Sequence, residues 1–182
     1  MSAISDQEIL SKFADPVTKE SAFSLLVRKY QEKIYWHVRR IVVDHEDAND
    51  VVQNVFIKVW RNLGKFKQNS KLYTWLYRIA TNESLTFINQ RKRKSVSPLE
   101  TDDYDLAAQL KADPYFDGND IQIKLQGAID RLPDKQRTVF LMRYYEEMKY
   151  DDMSEVLDTS VGALKASYHH AVKKIEKYLK TN

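Results

Sequence analysis

The chain of 182 residues contains no cysteine, only four glycines and only four prolines. Without cysteine it has neither a disulfide framework nor a thiolate metal site, as is typical of a protein from a reducing compartment. No apolar run is long enough to cross a bilayer, and none precedes a cleavage site near the amino end. We therefore expect a soluble, cytoplasmic protein, and the scarcity of glycine and proline favours helices.

Charge is distributed unevenly along the chain, although the formal net charge is only +3. Lys and Arg number 17 against 10 Asp and Glu in residues 1–94, 1 against 7 in residues 95–120, and 11 against 9 in residues 121–182. This pattern predicts two positive domains, 1–94 and 121–182, joined by an acidic linker that would repel DNA. This linker is expected to be flexible and to carry a short turn of helix around Leu106 to Leu110. A merely solvated spacer is an equally good interpretation of its acidic charge.

Apolar residues recur at helical spacing through both domains, and no segment shows the alternation of a strand. We predict an all-α fold with two small helical domains. Ser5 is expected to cap a short first helix that ends before Pro16. The further helices are predicted at about 18–43, 46–63, 73–94, 121–131, 134–147, 150–157 and 161–179.

The last two predicted helices form a pattern typical of a helix-turn-helix unit. Residues 150–157 are followed by Asp158, Thr159 and Ser160, which supply a left-handed residue and capping hydroxyls, and then by the second helix. In such a unit the second helix lies in the DNA major groove, with its early residues at the base edges. This makes DNA the first candidate partner, and an ordinary amphipathic helical hairpin is the alternative.

The second helix of this unit has one apolar side and one cationic or protonatable side. The apolar row consists of Leu164, Tyr168, Ala171, Ile175 and Leu179. At 100° per residue, the opposite side and its flanks carry the polar candidates for DNA contact. These are Lys165, Ala166, His169, His170 and Lys173.

The helix predicted at 46–63 has an unusual polar side. Asp47, Asp50, Gln53 and Asn54 are short carboxylate and amide side chains, and the apolar Ile57 lies among them. A solvated face is normally rich in lysine and glutamate, so this composition indicates a protein contact surface, with an ordinary wet face as the alternative.

Before the helix at 73–94 stands a loop with three lysines and one aromatic residue, residues 65–71. On that helix, Trp75, Arg78 and Asn82 share one face, and residues 91–94 are all basic. Cations hold phosphates, rings stack on bases and amides read base edges, so the loop and the face with Trp75, Arg78 and Asn82 are suited to unpaired bases. The basic run at 91–94 is suited to grip the backbone of a duplex. Packing of Trp75 and Tyr73 into the core is the alternative interpretation.

Three segments and the helix-turn-helix together resemble the extracytoplasmic-function (ECF) sigma factors, the smallest members of the sigma-70 superfamily. The segments are DANDVVQNVFIKVW at 47–60, LYTWLYRIATN at 72–82 and LPDKQR at 132–137. The resemblance covers nearly the whole chain except the linker. It implies a promoter-specificity subunit of bacterial RNA polymerase with family regions two and four, which bind promoter DNA and assist its melting.

The resemblance also implies roles for the residues of the 46–63 helix. In the family this helix docks on the clamp coiled coil of the largest polymerase subunit, while region four contacts the flap of the second-largest subunit. The residues implied for docking are Asp47, Asp50, Gln53, Asn54 and Phe56. The family more often has glutamate where this chain has Asn49 and Asn54, so the docking face is less acidic here.

For DNA, the resemblance implies one set of residues for each promoter element. In the family, one set of residues opens the minus-ten element and captures a flipped base. Because unstacking a base costs a few kcal/mol, the contacts to that base must return this energy. The residues implied for this role are Lys67, Gln68, Asn69, Ser70, Lys71, Trp75 and Asn82. Reading of the minus-thirty-five element is implied for Lys165, Ala166, Ser167, His169, His170 and Lys173. Where family members carry arginines, this chain has Lys165, Ser167 and His170, so a less guanine-dependent motif is expected.

Two other classes of function compete with this interpretation. A stand-alone helix-turn-helix regulator accounts for the second domain and leaves the first unexplained. Little in the sequence supports an enzyme. It has no cysteine, few histidines, no phosphate-binding glycine loop, and no spacing of carboxylates that suggests a catalytic pair. We expect a non-enzymatic factor without a cofactor or metal, whose partners are core polymerase, promoter DNA and an inhibitory anti-sigma factor.

Overall fold

The computed structural model describes residues 4–94 and 119–181. Within these two ranges the secondary structure consists of α-helices and one short 3-10 turn, with no strand, and the all-α prediction is confirmed. The chain forms two compact units, the first mainly of residues up to Lys94 and the second mainly of those from Asn119 onward. The helical turn predicted around Leu106 to Leu110 lies outside the described residues.

Four helices build the first unit. Ser5 caps the first of them by accepting a hydrogen bond from the Glu8 backbone N–H at 3.2 Å, and Asp44 caps the third by accepting from Asp47 N–H at 3.0 Å. A 3-10 turn at Leu63–Lys65 follows the third helix. The helices are α1 Asp6–Ala14, α2 Lys19–Val42, α3 His45–Asn62 and α4 Leu72–Lys94.

The long helix α2 is central, because α1, α3 and α4 all pack against it. Its buried side, including Leu26, Ile34 and Val38, repeats at helical spacing, and α3 adds Val55 and Val59. On α4, the large apolar residues Ile79 and Phe87 are only half-buried. The buried surface of α4 instead includes smaller and polar residues, namely Thr74, Ala80, Thr81 and Ser84. Thr81 and Ser84 direct their hydroxyls to backbone carbonyls of their own helix, so their burial leaves no hydroxyl unpaired.

The carboxylate of Asp6 holds the first helix of this unit against the second. Asp6 accepts hydrogen bonds from the Lys29 ammonium at 2.7 Å and from the Tyr30 hydroxyl at 2.9 Å. Burial and the neighbouring Asp6 raise the pKa of Tyr30 above its ordinary value, so this hydroxyl keeps its proton and remains a donor. The contacts hold α1 against α2.

Within residues 119–181 there are four further helices: α5 Asp120–Asp130, α6 Asp134–Tyr144, α7 Tyr150–Leu157 and α8 Val161–Thr181. Helix α8 packs against both α5 and α6. Helix α6 ends at Tyr144 rather than at the predicted Glu147. The chain turns there, with Glu147 at a left-handed φ of 49° and the Met148 N–H donating to the Met142 carbonyl at 3.1 Å.

No described helix combines the length and the apolar character that crossing a membrane requires.

Candidate functional site

The polar side of α3 is exposed as the sequence predicted. Asp50, Gln53 and Asn54 are exposed, Phe56 is half-buried, and Ile57 keeps 43% of its surface accessible. Their spacing of three or four residues places them in adjacent rows of one helix. We call these five residues the α3 face. An apolar side chain within short carboxylates and amides gives a surface that can exclude water on contact with another protein.

Asp47, the sixth candidate on this side, has a partner within the unit. Its carboxylate accepts a hydrogen bond from Arg91 Nη1 at 2.9 Å. Burial, followed by the charge of Asp44, raises the pKa of Asp47 above its ordinary value, and the charge of Arg91 opposes the rise. In the sequence Arg91 belongs to the basic run at 91–94 that is suited to grip a duplex backbone, and no spacing indicates that it pairs with Asp47.

Two further contacts fix α3 against its neighbours. On its exposed side Lys58 forms an ion pair with Glu83 of α4. At its first residue, His45 Nδ1 lies 2.6 Å from the Tyr35 hydroxyl of α2, and its Nε2 lies 3.1 Å from the Asn49 amide. The α3 face is therefore carried by a helix that contacts its neighbours at its first residue and again at Lys58, one turn before its end.

The loop before α4 presents the predicted polar residues to solvent. Lys67, Gln68, Asn69 and Lys71 are exposed and Ser70 is half-buried. Gln68 has a φ of 56°, a left-handed conformation that turns the chain sharply at this point. Exposed lysines and amides on a tight turn are suited to contact a phosphate backbone and base edges.

On α4 itself, Asn82 and Arg78 are exposed, whereas Trp75 is half-buried. The Trp75 ring packs against Phe66, with 5.1 Å between ring centroids and 40° between the ring planes. Tyr73 is also half-buried and meets Tyr77 edge-on at 5.3 Å. Trp75 therefore fits both interpretations, packing in the core and stacking on a base. It packs against Phe66, while part of the side chain remains accessible for stacking.

A buried histidine fixes α4 next to these residues. His37 of α2 is 1% exposed, and its Nε2 lies 2.8 Å from Thr81 Oγ1. Since the Thr81 hydroxyl donates its own hydrogen to the Tyr77 carbonyl at 2.7 Å, His37 Nε2 must carry a proton and donate it to Thr81. Burial, followed by the charge of Arg40, lowers the pKa of His37 to about 3, so the ring is neutral at physiological pH.

The helix-turn-helix geometry follows the sequence prediction closely. Asp158 adopts the left-handed conformation with φ 50° and ψ 49°, and Ser160 Oγ accepts a hydrogen bond from the Ala163 N–H at 3.3 Å. Leu164, Ala171 and Ile175 are buried. The predicted DNA contacts that lie exposed on α8 are Lys165, Ala166, His169, His170 and Lys173, while Ser167 is half-buried.

One aromatic ring of this unit contacts two cations. Arg143 Cζ lies 5.0 Å from the centroid of the Tyr150 ring, and Lys165 Nζ lies 5.7 Å from the same centroid. We call these three residues the Tyr150 cluster. Only Lys165 among them is indicated by the sequence pattern, because the three residues come from three different helices and share no spacing signal.

One carboxylate in the same unit, that of Asp130, has a raised pKa. Burial raises the pKa of Asp130 to about 6, although a hydrogen bond from the Gln126 amide at 2.9 Å and the charge of Arg137 oppose the rise. Its second oxygen is buried and accepts no hydrogen bond. In the described part of the chain, no group of three or more metal-ligating side chains comes together.

Comparison with known families assigns both units. Residues 26–94 match the family described as Sigma-70 region 2, and residues 122–175 match Sigma-70, region 4. The RNA polymerase sigma-H factor of Pseudomonas aeruginosa is 33% identical over 174 residues, covering 87% of this chain and 86% of that protein. The ECF RNA polymerase sigma factor SigW of Bacillus subtilis is 31% identical over 169 residues, covering 88% and 90%.

Two solved structures share the fold. CnrH, in complex with the cytosolic domain of CnrY, has a TM-score of 0.72 and 20% identity, covering 97% of this chain and 98% of that one. The sigma factor RpoE, in complex with the anti-sigma factor NepR from Bartonella quintana, has a TM-score of 0.68 and 18% identity, covering 88% and 98%.

Proposed function

The chain belongs to the ECF sigma factors of the sigma-70 superfamily, which direct bacterial RNA polymerase to promoters, and from this premise we propose how its residues divide the work. The first unit, within residues 1–94, docks on core polymerase and opens the minus-ten element. The second unit, within residues 121–182, reads the minus-thirty-five element. Residues 95–120 connect the two.

The α3 face is the proposed docking site for the clamp coiled coil of the largest polymerase subunit. Asp50, Gln53 and Asn54 are exposed around Ile57, which has 43% of its surface accessible. A cation-bearing helix of the polymerase would pair with Asp50 and donate hydrogen bonds to the side-chain amide oxygens of Gln53 and Asn54. Ile57 and Phe56 supply apolar contact. Asp47 contributes at the edge of this site, where it already pairs with Arg91.

The loop at 67–71, with Trp75 and Asn82, is the proposed minus-ten site. The loop lysines hold the phosphates, the accessible part of the Trp75 ring stacks on a base, and the Asn82 amide bonds the edge of the flipped base. What supports this proposal is the anchoring of the site. Phe66 packs on Trp75, and the His37 hydrogen bond to Thr81 fixes the turn of α4 that carries Asn82.

Helix α8 is the proposed reader of the minus-thirty-five element in the major groove. Its exposed side carries Lys165, Ala166, His169, His170 and Lys173. The amino end of the helix is fixed by the left-handed Asp158 and by the Ser160 cap. Half-buried Ser167 is the remaining candidate on this helix. No arginine lies on α8, so recognition is expected to depend less on guanine.

We further propose that the factor acts in the cytoplasm without catalytic activity or a cofactor, because its relatives form a class of polymerase subunits rather than of enzymes. An anti-sigma factor is the proposed inhibitory partner, as in the complex of the RpoE relative with NepR. Region four is also expected to contact the flap of the second-largest subunit.

Transcription in vitro tests this function directly. Purified chain is combined with core polymerase on a library of promoter fragments, and the transcripts are sequenced. Enrichment of templates that share two separated motifs supports the proposal. Transcripts that show no dependence on the added chain would contradict it.

A further inference from the structure

Three consecutive residues of α4 form the turn that carries the proposed base-capturing amide. Thr81 is buried, and its Oγ1 accepts a hydrogen bond from His37 Nε2 of α2 at 2.8 Å. The Glu83 carboxylate forms an ion pair with the Lys58 ammonium of α3. Asn82 lies between these two residues and is exposed. This turn of α4 is therefore tied by side chains to two different helices.

The two ties restrict rotation of α4 about its own axis. Successive side chains of a helix are about 100° apart, so Thr81 and Glu83 point to nearly opposite sides of α4. A rotation of this turn would stretch at least one of the two contacts. The direction of the exposed Asn82 side chain therefore depends on both ties, one in the core and one at the surface.

The ion pair of Glu83 and Lys58 is better suited to fix a position than to stabilise the fold. The Glu83 side chain is only 16% accessible, whereas the Lys58 side chain is 53% accessible. Because the ammonium stays largely hydrated, the pair adds little to the free energy of unfolding. Within the described ranges, Lys58 is the only ion-pair partner of Glu83. The carboxylate must stay at this ammonium, because it would otherwise be buried without a partner.

Lys58 connects the turn to the helix that carries the proposed docking site. It directly follows Ile57 and lies four residues after Asn54, and both belong to the α3 face. At a spacing of four residues, Asn54 and Lys58 are neighbours on the helix surface. The position of Asn82 is thereby set relative to α3 as well as to the backbone of α4.

We propose that Lys58 and Glu83 are positioning residues for base capture, and that their ion pair holds the Asn82 side chain in the direction that capture requires. Neither residue needs to touch the DNA. This inference rests on the proposed role of Asn82 in opening the minus-ten element. It assigns a function to two residues that lie outside both the proposed docking site and the proposed minus-ten site.

Methionine variants of the full chain, assembled with core polymerase, test this assignment. Methionine keeps the length of either side chain and favours a helix, while it removes the charge. For Lys58→Met and for Glu83→Met we expect an open fraction about threefold lower, the effect that a partly exposed ion pair can supply. Permanganate reactivity of unpaired thymines measures opening. Duplex binding and co-elution with core polymerase should stay at wild-type levels, and Lys58→Arg, which keeps the ion pair, should open normally.

A double-mutant cycle shows whether the pair acts through Asn82. Glu83→Met should lower opening in the wild-type chain and should have no further effect once Asn82 is changed to alanine. The combination of Lys58→Met with Glu83→Met should open as poorly as either variant alone. Full additivity with Asn82→Ala would overturn the proposal. Normal opening by the Lys58 and Glu83 double variant would also overturn it, because the single variants would then suffer only from an unpaired charge.

The sign of the Glu83→Met effect separates positioning from simple electrostatics. Removal of a negative charge favours contact with phosphates and would by itself raise opening, whereas lost positioning lowers it. Glu8→Gln is the matched control, because it breaks the exposed ion pair with Lys12 on α1, 3.1 Å long, and should open normally. Thermal unfolding of each variant reports folding, and the exposed Lys58→Met still tests the proposal if Glu83→Met does not fold.

Failure of the positioning role and failure of the proposed function have different signatures. Normal opening by Lys58→Met and Glu83→Met, together with impaired opening by Asn82→Ala, overturns only the positioning role. Normal opening by Asn82→Ala overturns base capture by this residue and the positioning role with it.

Discussion

The guanidinium of Arg91 lies 2.9 Å from the carboxylate of Asp47, so that the basic end of α4 is joined to the first turn of α3. The pair is partly exposed, with 40% of the Arg91 side chain and 31% of the Asp47 side chain accessible. Its contribution to stability is therefore expected to be small, up to about 1 kcal/mol. A substitution of Asp47 would break this pair between α3 and α4, whereas Asp50 and Gln53 are exposed and can be changed without breaking it.

Replacing Asp50 and Gln53 together by arginine should abolish association with core polymerase, because cations would then meet the proposed cationic partner surface. Helical content should remain unchanged, since both side chains are exposed. Co-elution with core polymerase on size exclusion measures the effect. Glu32→Arg, a reversal of charge at an exposed position of α2, is the control and should co-elute normally. Normal co-elution of the double variant would refute the docking assignment.

Changing Asn82 to alanine should impair promoter opening more than duplex binding. The variant loses a hydrogen bond to the flipped base worth about 1 kcal/mol, which corresponds to roughly a fivefold lower open fraction. Permanganate reactivity of unpaired thymines reports opening, and filter binding to the duplex reports the first step. Gln31→Ala removes an exposed amide from α2 and should behave like the wild type. Equal loss in both assays for Asn82→Ala would argue against base capture.

Asp130 makes the stability of the second unit depend on pH. Its pKa of about 6 in the folded chain lies above the ordinary 3.8, so the folded state binds a proton more readily than the unfolded state between these values. The contribution of Asp130 to the free energy of unfolding therefore rises as pH falls from above 6 toward 4. At higher pH the buried, ionised carboxylate destabilises the folded unit.

The substitution Asp130→Asn should remove this cost. Its stabilising effect is expected to be greater at pH 7.5 than at pH 4.5 by about 2 kcal/mol, as measured by urea unfolding at both values. The Asn side-chain oxygen can still accept the hydrogen bond from Gln126. An effect of equal size at the two pH values would show that the burial of Asp130 does not shift its titration.

Val43 occupies an unfavourable backbone conformation at the end of α2, with φ 75° and ψ −45°. A branched side chain is strained there, whereas glycine adopts positive φ readily. Val43→Gly should therefore be more stable than Val43→Ala by about 1 kcal/mol, the reverse of the order expected inside a helix. Thermal unfolding of the two variants gives the comparison, and a more stable alanine variant would contradict the strain.

The helices and the exposed candidate residues could be predicted from the sequence because their periodicity and caps are local. The left-handed Asp158, the Ser160 cap and the exposed α3 face are confirmed examples. Contacts between distant residues could not be predicted. The pairing of Asp47 with Arg91, the burial of His37 and the Tyr150 cluster depend on how helices approach one another, which no spacing in the sequence encodes. The early end of α6 differs in kind, because it reflects a local turn in which Glu147 adopts a positive φ and Met148 N–H donates to the Met142 carbonyl.

The most direct test of the central claim compares DNA selection by the full chain alone and by the same chain with core polymerase. Both samples are incubated with a random promoter library, and the bound fragments are sequenced. The account predicts two motifs at a fixed separation in the presence of core polymerase and no comparable selection by the chain alone. Equal selection of the same motifs by the isolated chain would contradict it.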